Sequence, residues 1–257
     1  IMENISRRKF LKLGGACAAG LGVAAVSKTA VAAQAVKYEK SSERLNAKNW
    51  GMVIDMSKFT EANFQACVEA CHSFHNVPNI DTKKDEVKWI WKERYENLFL
   101  DETHEHLAEK YKGMEFMTIC NHCQDPVCVR VCPTKATFKN EQGVVEMDMH
   151  RCIGCRNCMA ACPYGARSFN FKDPRPYIEE INPTYPTRMK GVVEKCNFCA
   201  ERLATGQLPL CVELSGGAIA FGDIDDPNSG VSKIIAEKFT LQRRANLGTR
   251  PKVYYIV

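Results

Sequence analysis

The chain has 257 residues, 45% hydrophobic and 25% charged, with a formal net charge of +5 and 14 cysteines. This composition excludes collagen-like and wholly disordered chains, and the length suffices for one large or two small domains with a buried core. The charge is local: residues 1–32 hold Arg7, Arg8, Lys9, Lys12 and Lys28 against Glu3 alone, which leaves about +1 for the remainder and no nucleic-acid footprint.

Leu13 to Ser27 is the one long uncharged apolar stretch. As a helix it reaches roughly 22 Å, short of the ~30 Å hydrocarbon core, so a polytopic membrane protein is excluded. Ser6-Arg7-Arg8-Lys9-Phe10-Leu11-Lys12 precedes it and Ala30-Val31-Ala32 follows. Paired arginines, an apolar stretch and a small-residue cleavage site read as a twin-arginine export signal over residues 1–35. That route carries folded proteins, so residues 36–257 are expected to receive any cofactor before export to an extracytoplasmic, periplasmic destination. Cys17 lacks the larger aliphatic residue three positions earlier that lipidation requires, since Gly14 stands there.

Past the signal, Cys67-x3-Cys71 comes first, with a helical turn expected before Cys71. Glu86 to Tyr95 reads as a strand, and residues 100–112 as a surface helix in which His104 and His106 are solvated. Cys120-x2-Cys123-x4-Cys128-x3-Cys132-Pro133 is the second group, with His122 between two cysteines, suited to a hydrogen bond or to plain packing. Val144 to Met147 reads as a short strand before the third group, Cys152-x2-Cys155-x2-Cys158-x3-Cys162-Pro163. Helical turns are expected before Cys132 and Cys162. Pro174, Pro176, Pro183 and Pro186 punctuate a loop. Val192-Val193 and Ala218 to Phe221 read as strands around Cys196-x2-Cys199-x11-Cys211, and residues 231–242 as a surface helix.

Export makes a disulfide framework the first alternative. Thirteen cysteines past the signal are an odd number, and they cluster at metal-ligand spacing instead of spreading. A structural zinc module is the second alternative, but zinc ribbons pair two Cys-x-x-Cys knuckles and use no Cys-x2-Cys-x2-Cys-x3-Cys-Pro run. That run is the bacterial ferredoxin pattern, whose last cysteine ligates the other cluster. A tight loop folds three thiolates around one cubane, and the fourth, about one helical turn on, reaches its neighbour. Cys67-Val-Glu-Ala-Cys71-His72 is one residue longer than a c-type haem site, and no true Cys-x-x-Cys-His occurs. No phosphate loop or nucleophile–base pair is present, so the reading is of a non-catalytic electron carrier.

Cys152-Ile-Gly-Cys-Arg-Asn-Cys-Met-Ala-Ala-Cys-Pro-Tyr-Gly-Ala-Arg167, Asn121-His122-Cys123-Gln124-Asp125-Pro126, Phe221-Gly222-Asp223, Asp226-Pro227-Asn228-Ser229 and Leu247-Gly248-Thr249 resemble the polyferredoxin subunits of membrane-bound oxidoreductases, including those of dimethyl sulfoxide and polysulfide reductases and the NrfC type. The resemblance implies an α+β fold of two ferredoxin-like modules with short strands, short helices and long loops. The inner module would span about 114–172, and the outer one about 50–80 plus 190–225.

The resemblance also implies crossed ligand sets. Cys120, Cys123, Cys128 and Cys162 would form one site; Cys152, Cys155, Cys158 and Cys132 a second; Cys196, Cys199, Cys211 and Cys71 a third. A fourth site would take the positions of Glu61, Phe64, Cys67 and Ser215, where one thiol survives. Three [4Fe-4S] clusters are therefore expected, with Cys67 a packing residue. Each cubane with its four thiolates carries about −2, so the loaded protein should be near −5 and favour cationic partner surfaces.

An export signal with three clusters resembles the DsrO type of iron–sulfur subunit. That resemblance implies an NrfD-like integral membrane quinone subunit (DsrP-like), a multihaem cytochrome c (DsrJ-like) and other Dsr membrane complex subunits as partners, in sulfur metabolism. The nearest alternative is the electron-transfer subunit of a molybdopterin reductase for polysulfide, thiosulfate or tetrathionate.

Overall fold

The computed structural model of the protein describes residues 41–104, 106 and 109–257. The chain divides at residues 39/40, and everything described belongs to the second unit. The signal reading of residues 1–35, Ala30-Val31-Ala32 and Cys17 lie outside the described residues.

The architecture is α+β. In chain order the strands are β1 (Trp50–Asp55), β2 (Trp91–Arg94), β3 (Glu115–Thr118), β4 (Thr137–Lys139), β5 (Val145–Met147), β6 (Ser168–Phe169), β7 (Val193–Glu194), β8 (Ile219–Asp223), β9 (Leu241–Gln242) and β10 (Val253–Ile256). The largest sheet has the order β8-β1-β10-β9. Its centre is β1, buried at all six residues, which pairs antiparallel with β8 and parallel with β10. Such an uninterrupted apolar run belongs to a strand covered on both faces. Met52 and Ile54 enter the main core, while Val53 turns to the other face with Ile234 of the helix Gly230–Glu237.

The remaining sheets are antiparallel pairs: β2 with β3, β4 with β5 and β6 with β7. The β4–β5 hairpin lies between Cys132 and Cys152, and β6–β7 spans from Cys162 to Cys196, so each pair fixes the approach of one cysteine loop to the next.

The longest helix among the described residues is Glu61–Phe74. Its start is fixed by a reciprocal cap in which Thr60 Oγ1 accepts from the Asn63 N–H at 3.3 Å and Asn63 Oδ1 accepts from the Thr60 N–H at 2.7 Å. Phe64, Cys67 and Cys71, three and four residues apart, form its buried face. The turns expected before Cys132 and Cys162 are the short helices Val127–Arg130 and Asn157–Ala160.

Three expected elements differ. Over Glu86 to Tyr95 only Trp91–Arg94 is strand: the Lys88 N–H is taken by Ser168 Oγ at 2.8 Å and the Trp89 indole by Glu194, so this stretch is bound to β6–β7 instead. Residues 100–112 hold two 3-10 turns, Leu100–Glu102 and Glu109–Tyr111. Neither turn has a fully buried side chain, although Tyr111 stacks on Tyr95 at 5.2 Å, and so short a helix does not extend on its own. The helix expected over 231–242 ends at Glu237, because the chain then extends to lay Leu241–Gln242 on β10.

Tyr95, Phe99, Phe116 and Tyr255 form an aromatic knot between the sheets, with Phe116 fully buried and 5.6–5.8 Å from the other three rings. Phe116→Ala is expected to cost about 3–5 kcal/mol, read as a lowered thermal midpoint of the cluster-loaded protein; an unchanged midpoint would contradict this core.

Candidate metal centre

The cysteine loops share one backbone device. In Cys120-Asn121-His122-Cys123, Cys152-Ile153-Gly154-Cys155 and Cys196-Asn197-Phe198-Cys199 the third residue is left-handed, with φ of 41° at His122, 70° at Gly154 and 57° at Phe198. The turn curls each loop around the space its thiols enclose. Gly154 is required for a second reason: a Cβ there would stand 2.5 Å from the Gly191 carbonyl oxygen.

The thiols gather in groups drawn from distant segments. Burial pushes Cys123 up to about 12, and charge on Cys120, Cys128 and Cys162 adds to the rise. Burial likewise raises Cys158, with Cys128, Cys152 and Cys132 contributing. Cys155, in the same loop as Cys152, is exposed. Cys71 is pushed well up by burial and then by Cys199, Cys196 and Cys211, although 125 residues or more separate it from them in sequence. Cys196 feels Cys120, and Cys158 feels Cys128. The Cys71 group therefore adjoins the Cys120 group, and the Cys120 group adjoins the Cys152 group.

Cys132 alone runs the other way. Burial opposes it, but hydrogen bonds from the Thr137, Thr134 and Ala136 backbone and the Thr134 hydroxyl lower its thiol. No disulfide joins any of the thirteen described cysteines. Buried thiols that each resist ionisation next to the others are unfavourable as thiolates on their own. A bound multivalent cation reverses that logic, so the all-sulfur donor set fits iron–sulfur clusters.

The positions of the implied fourth site are closed. Glu61 is exposed and paired with the Lys92 ammonium, which lies 4.8 Å above the Phe64 ring. Phe64 packs in the core, and the Cys67 thiol, raised to about 11 by burial, donates to the Cys211 carbonyl at 3.3 Å. Ser215 is fully buried, its hydroxyl donating to Val212 O at 2.9 Å and accepting from the Ile219 N–H at 3.0 Å. Cys67 is thus a packing residue here, and Cys71 turns toward Cys196, Cys199 and Cys211, away from any haem-like arrangement with its neighbour.

His122 is fully buried, and its ring stacks on Phe198 at 3.7 Å. Its Nδ1 accepts from the Val145 N–H at 3.1 Å, which puts the proton on Nε2. Burial, then Lys195, Lys252 and Arg167, hold the ring neutral. Nε2 has no hydrogen-bond partner among the described residues. His104 and His106 are exposed, as expected.

Other residues around the thiols carried no sequence signal. Arg167 is buried beside Cys128, Cys158 and Cys120 and donates to Thr137 Oγ1 at 3.2 Å. Lys195 donates to the Cys196 carbonyl at 2.7 Å, and Lys252 to Asn49 Oδ1 at 2.8 Å. His75, one helical turn past Cys71, donates from Nδ1 to the Cys71 carbonyl at 2.8 Å and meets Glu201 through Nε2 at 2.6 Å. Arg188 and Glu194 form a buried pair at 2.6 Å. Arg188 also donates to the carbonyls of His75 and Asn76, which fastens the proline-rich loop to the end of the Cys71 helix. The spacing of His75 from Cys71 was the one hint available.

Residues 112–175 match the 4Fe-4S dicluster domain. The chain is 42% identical to the Hdr-like menaquinol oxidoreductase iron-sulfur subunit 1 of Archaeoglobus fulgidus, over 98% of this chain and 97% of that protein. It is 34% identical to the B subunit of polysulfide reductase from Wolinella succinogenes, over 82% and 95%, and 33% identical to protein NrfC of Escherichia coli, over 98% and 95%. With its thiol groups and the dicluster match, the protein belongs to the NrfC-like polyferredoxin family of iron–sulfur subunits.

Proposed function

We propose that this protein is an extracytoplasmic electron-transfer subunit that relays single electrons through three [4Fe-4S] clusters. The observation that supports the reading is the convergence of eleven thiols in three adjoining groups, with Cys155 in the loop of Cys152, while the positions of a fourth are closed by Phe64, Cys67 and Ser215. Bound there, a cubane supplies a one-electron couple whose potential follows hydrogen bonding, charge and burial. Cys120, Cys123, Cys128 and Cys162 hold the middle cluster; Cys152, Cys155, Cys158 and Cys132 hold one end. Cys196, Cys199, Cys211 and Cys71 hold the other. The inner module of about 114–172 carries the first two sets, and the outer module, about 50–80 plus 190–225, the third.

The protein's own residues tune and fix these sites. Arg167 places a buried cation between the Cys120 and Cys152 sets, where it offsets the added negative charge of reduction. The His122–Phe198 stack holds the Cys120 and Cys196 loops in contact. No described helix is long and apolar enough to cross a membrane.

The names of the relatives, a menaquinol oxidoreductase subunit and a polysulfide reductase subunit, support a quinone-linked membrane complex. Within it we assign an NrfD-like, DsrP-like membrane subunit and a multihaem, DsrJ-like cytochrome c as neighbours along the wire, together with other Dsr subunits, in sulfur or sulfite respiration. Residues 1–35 direct export by the twin-arginine route. The similarity to a polysulfide reductase subunit supports a second reading, the electron-transfer subunit of a molybdopterin reductase. A multihaem cytochrome in the purified complex favours the first reading, a molybdopterin protein the second.

The purified protein is expected to be brown and to hold about twelve irons and about twelve acid-labile sulfides. A content near sixteen, or a colourless zinc protein, would contradict the assignment. Cys71→Ser is expected to remove about four irons and the paramagnetic resonance signal of one reduced cluster while the other two persist. Cys67→Ala, by contrast, is expected to leave iron and visible spectrum unchanged and to cost about 1 kcal/mol of stability; loss of a cluster in this variant would make Cys67 a ligand.

A further inference from the structure

The segment leading into β10 lies along the Cys120 loop. The Asp125 N–H donates to Thr249 O at 3.0 Å, the Gln124 N–H to Arg250 O at 2.9 Å and the Lys252 N–H to Asn121 O at 3.0 Å. These bonds carry Thr249, which is buried, to Cys123, and its hydroxyl bonds the Cys123 sulfur. The buried hydroxyl of Tyr164, two residues past Cys162, meets Thr249 Oγ1 from the other side. Arg243 holds the tyrosine in place: its Nη2 donates to the Tyr164 carbonyl at 3.0 Å and its guanidinium lies 5.4 Å from the centre of the ring. Arg243 is itself buried, with Nε and Nη1 unpartnered among the described residues, so its charge stands uncancelled near Cys162.

Counting protons fixes the direction of the two hydroxyl bonds. If Thr249 donated to Tyr164, the phenolic proton would be buried with no acceptor among the described residues, a costly arrangement. With Tyr164 donating to Thr249 Oγ1, the threonine proton goes to the Cys123 sulfur and every group is satisfied. A ligating thiolate demands the same direction, because it has no proton to give. Hydrogen bonds linked in this way polarise one another, so the second hydroxyl strengthens the first.

We infer that Tyr164 and Thr249 form a hydroxyl relay that raises the reduction potential of the cluster held by Cys120, Cys123, Cys128 and Cys162. The inference rests on the reading of those four cysteines as the ligands of one [4Fe-4S] cluster. Reduction adds one electron, and with it negative charge on the sulfurs. A donor aimed at one of them stabilises the reduced form more than the oxidised one. No proton leaves either hydroxyl in this step. Thr249 acts on the sulfur directly, whereas Tyr164 is a positioning residue that acts through Thr249.

The test is a redox titration of the loaded protein with dithionite and dye mediators, followed by paramagnetic resonance of each reduced cluster. Thr249→Val keeps the side-chain shape and is expected to lower the reduction equilibrium constant of one cluster about tenfold, a midpoint lower by about 59 mV. The affected cluster is one of the two that persist in Cys71→Ser. Thr249→Ser, which restores the hydroxyl, is expected to stay within about twofold of the unmodified protein. Tyr164→Phe is expected to lower the same constant about twofold, and to change nothing in the Thr249→Val background.

Iron is measured for every variant. If Thr249→Val loses iron, Tyr164→Phe, which removes no group bonded to a sulfur, carries the test, and an unchanged midpoint there overturns the relay. In iron-loaded variants the relay is equally overturned by a Thr249→Val midpoint equal to that of the unmodified protein, by Thr249→Ser matching Thr249→Val, or by a Tyr164→Phe effect that persists undiminished in the Thr249→Val background. A shift confined to the cluster that Cys71→Ser removes would overturn it too. An iron-free preparation of the unmodified protein would instead sink the ligand reading itself, separately from the relay.

Discussion

Thiols crowded into a buried space oppose one another's ionisation, and their gathering organises the molecule. Cys71 gains its neighbours Cys196, Cys199 and Cys211 only when the first helix meets segments far along the chain. Unoccupied, those thiols stay protonated, because burial and mutual charge both oppose ionisation. Occupied by a cluster, the same gathering ties the ends of the fold to its middle. Metal binding of this kind is folding free energy as much as chemistry, which accounts for so many short strands and loops in a protein of this length.

Around the thiols, the protein distributes buried charge with care. Arg188 is paired with Glu194 and anchors the proline-rich loop, a structural use in which both charges are satisfied. Arg167, Lys195 and Lys252 instead donate to hydroxyl, carbonyl and amide oxygens close to cysteine loops, leaving their positive charge to act on the sulfurs. The group at the other end has the carboxylate of Glu201 nearby, held by His75. Cations gather at the middle group and an acid stands at the buried end, so the three sites differ in electrostatic setting although their donor atoms are alike.

The cysteine spacing was the legible part of the sequence. It foretold the short helices before Cys132 and Cys162, and it put the losses at Glu61, Phe64 and Ser215 on one site, because ligand geometry is local. The central sheet was not legible. β1 and β10 lie some 200 residues apart, and a parallel pairing at that separation leaves no local mark. Nor did composition announce that Lys195, Lys252, Arg167 and Arg188 are buried, since long cations are ordinarily surface residues. Their burial follows from tertiary carbonyls and sulfurs that no window of sequence displays. The helix expected over residues 100–112 failed for the opposite reason: among its described residues Tyr111 alone packs against the core, too little to hold a long helix.

The central claim is spatial, that twelve sulfurs from four segments enclose three clusters in a row. An anomalous difference map of the loaded protein, recorded at the iron absorption edge, examines it most directly. Three iron sites are expected, the middle one bounded by Cys120, Cys123, Cys128 and Cys162. A fourth iron site beside Ser215, or a sulfur–sulfur bond between any two of the twelve, would contradict it.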